Sequence, residues 1–314
     1  MNFWWRSQPP LWSAPLVALS AAWRAGAAID RAVRRPVKLP VAVISVGNLT
    51  VGGAGKTPVT LELAARLAAR GRKPAVLSRG YGRRSREPVE VSAGTPAEVA
   101  GDEPVLLARR GCKVFVGPRR AELASLAMRQ GADVLLLDDG LQHHALARDL
   151  DVIVADASNP FGNGRLIPAG PLREPVSALR RVRRGLIWLT WCDRTRDPRT
   201  AALGGFPAVE SAYAAEPDLH GKRVFLFAGI ARPDRFAATV RDLGAEIAGT
   251  RWFPDHHLFT DRELVEVRAA GALPVTTEKD LARIARPDGI VAVRLGMRIL
   301  RGEDALWSAL EALP

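Results

Sequence analysis

The segment that decides the fold is Val41-Ala-Val-Ile-Ser-Val-Gly-Asn-Leu-Thr-Val-Gly-Gly-Ala-Gly-Lys-Thr57. Its first six residues are a short apolar run rich in valine and isoleucine, which predicts a buried β-strand. A glycine-rich turn follows. Helical sequence then starts near Lys56 and stops at Gly71, the type of residue that commonly closes a helix. A strand, a glycine-rich turn and a helix in this order are the context of a phosphate-binding loop.

The glycine-rich turn has the composition that phosphate binding requires. Glycines let backbone N–H groups approach phosphate oxygens, and the N-terminus of the following helix favours negative charge. Lys56 is expected to reach the β- and γ-phosphates of ATP or GTP, and Thr57 to hold Mg²⁺. The alternative is an ordinary turn before a helix, and the usual first glycine of the pattern is Thr50 here. The predicted nucleotide-binding residues are Thr50, Val51, Gly52, Gly53, Ala54, Gly55, Lys56 and Thr57.

A second apolar run supplies the acids that such a loop needs. Val134-Leu-Leu-Leu-Asp-Asp139 predicts a buried strand that ends in two carboxylates. Downstream of a phosphate loop this is the pattern of a Walker B segment, whose acid holds the metal ion. The sequence therefore predicts a magnesium site made by Thr57, Asp138 and Asp139.

The rest of the chain alternates strand-like and helix-like runs, which predicts an α/β fold with a parallel sheet. A glycine- and proline-rich stretch over 158–175 lacks a clear period and is expected to be functional. A second alternating block starts at Arg223, and the polar segment 212–221 is the candidate linker. We therefore predict a P-loop NTPase-like domain over 36–218 and a smaller α/β domain over 219–314.

Residues 1–35 predict an amphipathic helix in contact with a membrane surface. Fifteen residues, Pro9 to Trp23, carry no charge. A helix of that length covers about 22 Å, short of the ~30 Å hydrocarbon core. Four of the eight tryptophans lie within residues 1–35, and tryptophan favours the membrane–water interface. The alternative is an ordinary amphipathic helix packed on the domain.

The formal net charge of +12 indicates an anionic partner, either nucleic acid or an acidic membrane. No recognisable nucleic-acid-binding module is present, and aromatic residues do not interleave with the basic runs. The sequence thus predicts an anionic membrane surface and no nucleic acid. The two cysteines, Cys112 and Cys192, form no metal-binding motif, which argues against a thiolate zinc site and indicates a reducing compartment.

Several short segments, in order, closely resemble the tetraacyldisaccharide 4′-kinases, which phosphorylate the lipid A disaccharide precursor. Threonine in place of the first loop glycine is itself a trait of that family. The similar segments cover most of the chain: 45–58, Ser78-Arg-Gly-Tyr-Gly82, Gly101-Asp-Glu-Pro-Val105, Asp138-Asp-Gly-Leu-Gln-His143, Phe161-Gly-Asn-Gly164, Pro168-Ala-Gly-Pro-Leu-Arg-Glu174, Ala228-Gly-Ile230, Asp255-His256 and Thr277-Glu-Lys-Asp280.

The resemblance implies a kinase that transfers the γ-phosphoryl group of ATP, with Mg²⁺, to the 4′-hydroxyl of the disaccharide precursor. It implies a peripheral protein on the cytoplasmic face of the inner membrane. Asp102 and His256 match the family's catalytic dyad, and an imidazole oriented by a carboxylate can accept a hydroxyl proton. They fall in different predicted domains, so domain closure is expected to assemble them. Without the resemblance, the preferred interpretation of His256 is a surface histidine beside His257.

The resemblance also assigns further site residues. An arginine at the position of Arg120 offsets charge that develops on the transferred phosphoryl group. Four residues are implied to contact substrate or nucleotide: Gln142, His143, Arg173 and Glu174.

Two other classes of P-loop protein fit the sequence less well. Partition-type ATPases carry an additional lysine before the loop glycines, where this chain has Val51. Membrane GTPases read guanine with Asn/Thr-Lys-x-Asp, and Thr277-Glu-Lys-Asp280 has Glu278 at the lysine position.

Overall fold

A computed structural model describes residues 2–6, 8, 10–52, 54–195 and 204–314. The chain divides into two compact units. The first unit comprises Met1–Arg79, Gly117–Tyr213 and Met297–Pro314, and the second comprises Gly80–Val116 and Ala214–Gly296.

The first unit is built on a parallel sheet with the phosphate-loop strand in its interior. Its strands are β1 (Ala42–Gly47), β2 (Pro74–Ser78), β5 (Val134–Asp138), β6 (Leu150–Asp156), β7 (Gly185–Thr190) and the first part of β8 (Ala208–Glu216). Their order is β8-β7-β6-β1-β5-β2, and each neighbouring pair runs parallel. Every residue of β1, β5, β6 and β7 is buried, as expected for a parallel sheet covered on both faces.

The register of β1 and β5 sets the position of the site. Val46 lies opposite Asp138, so the two strands end at the same edge of the sheet. The phosphate loop leaves from the end of β1 and the acidic pair from the end of β5. Ligands of parallel α/β sheets bind at this carboxyl edge.

Helices cover the sheet of the first unit. Helix α2 follows the phosphate loop and buries one stripe, Val59, Thr60, Leu63, Ala64 and Leu67, whose spacing is that of a single helix face. The helices of this unit are α1 (Pro15–Val33), α2 (Lys56–Ala69), α5 (Arg120–Arg129) and α9 (Glu303–Glu311).

The second unit has its own strands and core. Strands β10, β9, β11 and β12 run parallel in that order, and β3 pairs antiparallel with β4. These strands are β3 (Val89–Val91), β4 (Lys113–Val116), β9 (Arg223–Ala228), β10 (Glu246–Trp252), β11 (Leu273–Thr277) and the first part of β12 (Val291–Arg301). The helices are α3 (Ala97–Ala100), α4 (Asp102–Arg109), α6 (Pro233–Asp242), α7 (Asp261–Arg268) and α8 (Glu278–Leu281).

The fold class is confirmed: a P-loop NTPase-like parallel sheet, a smaller second α/β unit and an N-terminal helix. The unit boundaries differ from the expected domains. The chain passes into the second unit at Tyr213, within β8, so the expected linker 212–221 begins as strand. Residues 80–116, expected in the first domain, belong to the second unit because their helix α4 packs against α8. No helix in the described part of the chain is long and apolar enough to cross a membrane.

Candidate active site

The phosphate loop joins β1 to α2 and presents Lys56 at the first turn of that helix. Gly52 and Gly55 have φ of 105° and 90°, left-handed values that favour glycine. Gly53, predicted to bind nucleotide, lies outside the described residues. The Lys56 ammonium donates to Asn48 Oδ1 at 3.2 Å and lies 3.4 Å from Asp139 Oδ1. Lys56 is therefore held at the loop by polar contacts, while its side chain remains only 13% exposed.

The two predicted metal acids differ in their surroundings. Asp138 is buried at the end of β5 and accepts a hydrogen bond from Ser78 Oγ at 2.9 Å. Asp139 has a left-handed φ of 51° and lies between two cations, since Arg173 Nη1 donates to its Oδ2 at 2.7 Å. Burial alone would raise the pKa of Asp139, but the charges of Lys56 and Arg173 outweigh burial and hold that pKa below its usual value. Asp139 is therefore an ionised carboxylate at neutral pH.

Gln142 and Arg173 join the same cluster. Gln142 Nε2 donates to the backbone oxygen of Asn48 at 3.1 Å, and Arg173 Nη1 lies 3.4 Å from Gln142 Oε1. His143 is partly buried, and its Nε2 has no hydrogen-bond partner among the described residues. Burial, together with nearby arginines, lowers the pKa of His143 to about 4, so this imidazole is neutral at pH 7.

Arg120 lies beneath the acidic pair rather than on the surface. Its side chain is buried and donates to the backbone oxygen of Asp138 at 3.2 Å. A second donor reaches the backbone oxygen of Gly117 at 3.4 Å. The guanidinium thus places a permanent positive charge at the carboxyl end of β5.

Glu174 pairs with arginines outside this cluster. Its buried carboxylate accepts hydrogen bonds from Arg31 at 3.3 Å and from Arg181 at 2.6 Å. Arg31 belongs to α1, and Trp23 of the same helix donates from Nε1 to the backbone oxygen of Arg173 at 2.8 Å. Helix α1 therefore holds the loop that carries Arg173.

Asp102 and His256 meet within the second unit. The His256 Nδ1 and Asp102 Oδ2 atoms are 2.9 Å apart. Asp102 is the first residue of α4, and His256 has a left-handed φ of 61° in the loop after β10. The prediction that domain closure brings them together is wrong, because both residues belong to one unit and already touch.

A buried arginine supports this dyad. The Arg283 side chain is 1% exposed; its Nε lies 3.1 Å from Asp102 Oδ2 and its Nη2 lies 3.0 Å from Asp280 Oδ1. Burial alone would raise the pKa of Asp102, but the hydrogen bond from His256 and the charges of Arg283 and Lys279 hold that pKa below its usual value. An ionised Asp102 accepts the proton of Nδ1, so Nε2 of a neutral His256 is the basic nitrogen.

Other family segments surround the same histidine. Lys279 Nζ lies 3.5 Å from His256 Nε2 and 3.3 Å from Glu103 Oε1. The Tyr81 ring lies 5.4 Å from the imidazole and is 75% exposed. The backbone oxygen of Gly229 accepts from His256 N at 3.1 Å. Four separate motifs of the sequence thus converge on one imidazole.

The predicted residues therefore form two clusters, one in each unit. Lys56, Asp138, Asp139, Gln142 and Arg173 lie together in the first unit, with Arg120 behind Asp138. Sequence reasoning did not identify Asn48 or Arg283. Asn48 lay inside a quoted family segment, and Arg283 follows Asp280 at the i+3 spacing of one helical face.

The cluster of the first unit suits a hard cation held in part by phosphate. The described residues contain no group of three or more His, Cys, Asp or Glu side chains that would cage a metal. Mg²⁺ is usually bound by one or two carboxylates together with substrate phosphates, which matches an ionised Asp139, Asp138 and the Thr57 hydroxyl beside a phosphate loop.

Comparisons with known proteins agree on one family. The family model described as tetraacyldisaccharide-1-P 4′-kinase matches residues 11–313. A tetraacyldisaccharide 4′-kinase of Anaeromyxobacter sp. (strain K) is 49% identical, over 98% of this chain and 94% of that protein. The protein of the same name from Parvibaculum lavamentivorans is 41% identical, over 96% and 94%. The crystal structure of the "apo" form of LpxK from Aquifex aeolicus in complex with ATP has a TM-score of 0.80 and 29% identity, over 96% of this chain and 99% of that chain.

Proposed function

This chain belongs to the tetraacyldisaccharide 1-phosphate 4′-kinase family, and from that premise we propose how its residues divide the reaction. The protein is a phosphotransferase of lipid A biosynthesis. It transfers the γ-phosphoryl group of ATP to the 4′-hydroxyl of tetraacyldisaccharide 1-phosphate. The observation that carries the mechanism is the 2.9 Å contact between His256 and Asp102, because a sugar hydroxyl is a poor nucleophile and needs a base.

The first unit holds the phosphate donor in this proposal. The loop N–H groups and the N-terminus of α2 bind the phosphates of ATP, and Lys56 binds the transferred group. The 3.4 Å Lys56–Asp139 contact supports this role, because the pair keeps a mobile lysine directed at the loop. Thr57, Asp138 and Asp139 would hold Mg²⁺, which supplies charge neutralisation on the phosphates when bound.

The charged residues around Asp139 serve substrate and transition state. Arg173 and Gln142 present donors at the edge of the phosphate loop, and Arg120 adds a fixed positive charge behind Asp138. Positive charge at these positions offsets the charge that develops on the transferred group. His143, neutral at pH 7, contacts substrate or nucleotide without adding charge. Glu174 remains a predicted substrate residue, and its pairing with Arg31 and Arg181 supports a role in positioning Arg173.

The second unit supplies the base. His256 Nε2 takes the proton of the acceptor hydroxyl as the new P–O bond forms, and the bond from phosphorus to the leaving oxygen of ADP breaks. Ionised Asp102 stabilises the imidazolium and fixes the tautomer of the ring. Arg283 keeps Asp102 ionised, and Lys279 lies beside the same nitrogen, where a cation can contact a substrate oxygen.

Helix α1 places the enzyme on its lipid substrate in this proposal. Apolar side chains are exposed on α1, Leu19 at 57% and Trp23 at 45%, and on the short 3-10 helix before it, Leu11 at 93% and Trp12 at 64%. Leu16 and Ala27 of the same helix are half-buried. Exposed tryptophan and leucine beside arginine are typical of a helix that lies in the headgroup region. We place the protein peripherally on the anionic cytoplasmic face of the inner membrane, without a nucleic-acid partner.

Purified protein, γ-labelled ATP and the disaccharide acceptor in detergent micelles test the function directly. The wild-type protein should transfer label to the acceptor, and Lys56→Ala should lose on the order of 10²-fold or more in rate. Arg70→Ala, a partly exposed cation at the far end of α2, is the matched control and should stay close to the wild type. A Lys56→Ala protein with near-normal transfer would contradict the phosphate-loop assignment.

A further inference from the structure

The segment Ser78-Arg-Gly-Tyr-Gly82 places an exposed aromatic ring beside the proposed catalytic pair. Tyr81 is 75% exposed, although a tyrosine ring has a large apolar surface whose burial stabilises a protein. Single exposed apolar side chains are common on proteins and need no function. Tyr81 differs because its ring lies next to the imidazole of the proposed base, and neither cluster described above gives it a role.

Tyr81 and His256 lie side by side in the second unit, and a ligand can reach both rings. The ring centres are 5.4 Å apart and the planes are tilted by 53°. The His256 side chain is 34% exposed. Lys279 Nζ, 3.5 Å from His256 Nε2, adds a donor at the same place. An aromatic face, a basic nitrogen and a cation are therefore available together to one small group.

The backbone of the Tyr81 loop packs directly against the start of α4. A Cβ at Gly101 would lie 2.8 Å from the backbone oxygen of Tyr81, so only glycine permits this approach. Gly101 precedes Asp102, and its φ of 91° is a left-handed value that favours glycine. The Arg84 backbone N–H donates to the Glu98 backbone oxygen at 2.9 Å and joins the loop to α3. Tyr81 is therefore held at a fixed distance from the catalytic pair.

The ligand that must lie beside His256 is a sugar, because the acceptor of this family is a hydroxyl of a glucosamine disaccharide. A hydroxyl that is hydrogen-bonded to Nε2 brings its own sugar ring next to the imidazole, where the Tyr81 ring lies. Pyranose rings with mostly equatorial substituents present C–H groups on both faces, and the negative face of an aromatic ring attracts such groups. The same ring face repels a phosphate, so Tyr81 suits the acceptor and not the donor.

We propose that Tyr81 is the platform on which the acceptor sugar stacks. A C–H face of the glucosamine ring that bears the 4′-hydroxyl packs on the phenol ring, and the hydroxyl then meets His256 Nε2. Tyr81 forms no covalent bond to the substrate and transfers no proton; it binds and orients the sugar. The inference rests on the proposed function, because it takes His256 as the base and a sugar hydroxyl as the acceptor.

Kinetics of the full chain in mixed micelles measure this contact, with the mole fraction of acceptor varied at a fixed micelle concentration. The fixed micelle concentration separates sugar binding from attachment of the enzyme to the micelle. Tyr81→Ala should raise the KM for the acceptor about tenfold, the size expected for loss of one aromatic stack, and leave the KM for ATP unchanged. Tyr81→Phe keeps the ring and should stay close to the wild type.

Trp252→Ala is the matched control for these variants. Trp252 is 39% exposed in the same unit, and its ring lies edge-on to Phe236 at 6.4 Å. Its removal takes an exposed aromatic ring from the second unit without changing the neighbours of the imidazole, so both KM values should match those of the wild type.

Fluorine NMR gives a second measurement that needs no substitution of Tyr81. The chain contains two tyrosines, Tyr81 and Tyr213, so incorporation of fluorotyrosine gives two resonances, and Tyr213→Phe assigns them. Micelles that contain the acceptor should shift the Tyr81 resonance relative to micelles without it, because a stacked sugar changes the surroundings of the ring. This result is obtained on the folded protein even if Tyr81→Ala does not fold.

The platform would be overturned by an unmoved Tyr81 resonance at acceptor concentrations that support transfer, or by an acceptor KM of Tyr81→Ala equal to that of the wild type. A defect in Tyr81→Phe as large as that in Tyr81→Ala would also overturn it, because the hydroxyl rather than the ring face would then bind the sugar. A wild-type protein that transfers no label to the acceptor would instead overturn the proposed function.

Discussion

At the residue scale, the buried cation Arg283 helps to hold the pKa of Asp102, a member of the proposed catalytic pair, below its usual value. It contacts Asp102 and Asp280 simultaneously, and burial raises the pKa of Asp280 despite this contact. Two carboxylates thus depend on one guanidinium. Nothing in the local pattern indicated the contact of Arg283 with Asp102, because a basic residue after a short helix is usually a solvated charge. Asp102 and Arg283 are 181 positions apart in the chain, so sequence periodicity cannot predict their contact.

Arg283→Gln should move the acidic limb of the kcat–pH profile to higher pH. The pKa of Asp102 is held low in the native protein, so the carboxylate stays ionised well into the acid range. Removal of the cation raises that pKa, and Asp102 then takes up its proton, and kcat falls, at a higher pH than in the wild type. The variant should also lose about 3–5 kcal/mol of stability, because two buried carboxylates lose their partner.

The pH dependence of kcat and thermal unfolding measure these two effects. Arg283→Lys keeps the charge and should restore much of the acidic limb, while the exposed neighbour variant Arg286→Gln should match the wild type. An unshifted acidic limb in Arg283→Gln would mean that Arg283 serves packing alone.

At the element scale, strands buried on both faces were predictable and half-exposed strands were not. The apolar runs of β1 and β5 predicted those strands to within a residue. In contrast, β8 (Ala208–Glu216) mixes buried and partly exposed positions, and β10 (Glu246–Trp252) alternates exposed and half-buried ones. Such patterns match loops as well as strands, because neighbouring strands rather than local preference hold them in place. The linker expected at 212–221 overlaps the end of β8 for this reason.

Helix α1 and the short 3-10 helix before it, Leu11–Ser13, should carry membrane affinity through their exposed apolar side chains. Replacing Leu11, Trp12 and Leu19 together with serine should reduce binding to anionic vesicles at least tenfold, since each buried side chain of this size contributes about 1.5–3 kcal/mol. The apparent KM for the micellar acceptor should rise, and ATP affinity should not change. Vesicle co-sedimentation measures the first effect.

Trp23 is left intact in this variant because its indole holds the Arg173 loop. Val265→Ser, at a 61% exposed valine of α7, is the matched control and should bind vesicles like the wild type. Equal binding by the triple variant and the control would show that α1 is not the membrane contact.

At the scale of the whole molecule, the proposed reaction uses residues of both units. The order of short motifs indicated both sets of residues, and the phosphate loop and acidic pair followed from strand and turn chemistry. The presence of Asp102 and His256 in the same unit could not be predicted from the sequence. Residues 80–116 look continuous with the first domain along the chain, and only the packing of α4 on α8 assigns them to the second unit. Composition along the chain does not indicate that residues 80–116 leave the first unit or that the chain re-enters it at Gly117.

The central claim is that Asp102 and His256 act as one unit on the acceptor hydroxyl, and kcat for the single and double alanine variants tests it most directly. Each single variant should lose on the order of 10²- to 10⁴-fold in kcat with ATP binding retained. The double variant should be little slower than the poorer single variant, because residues that act together are strongly non-additive. Multiplicative losses in the double variant, or a normal rate in His256→Ala, would contradict the account.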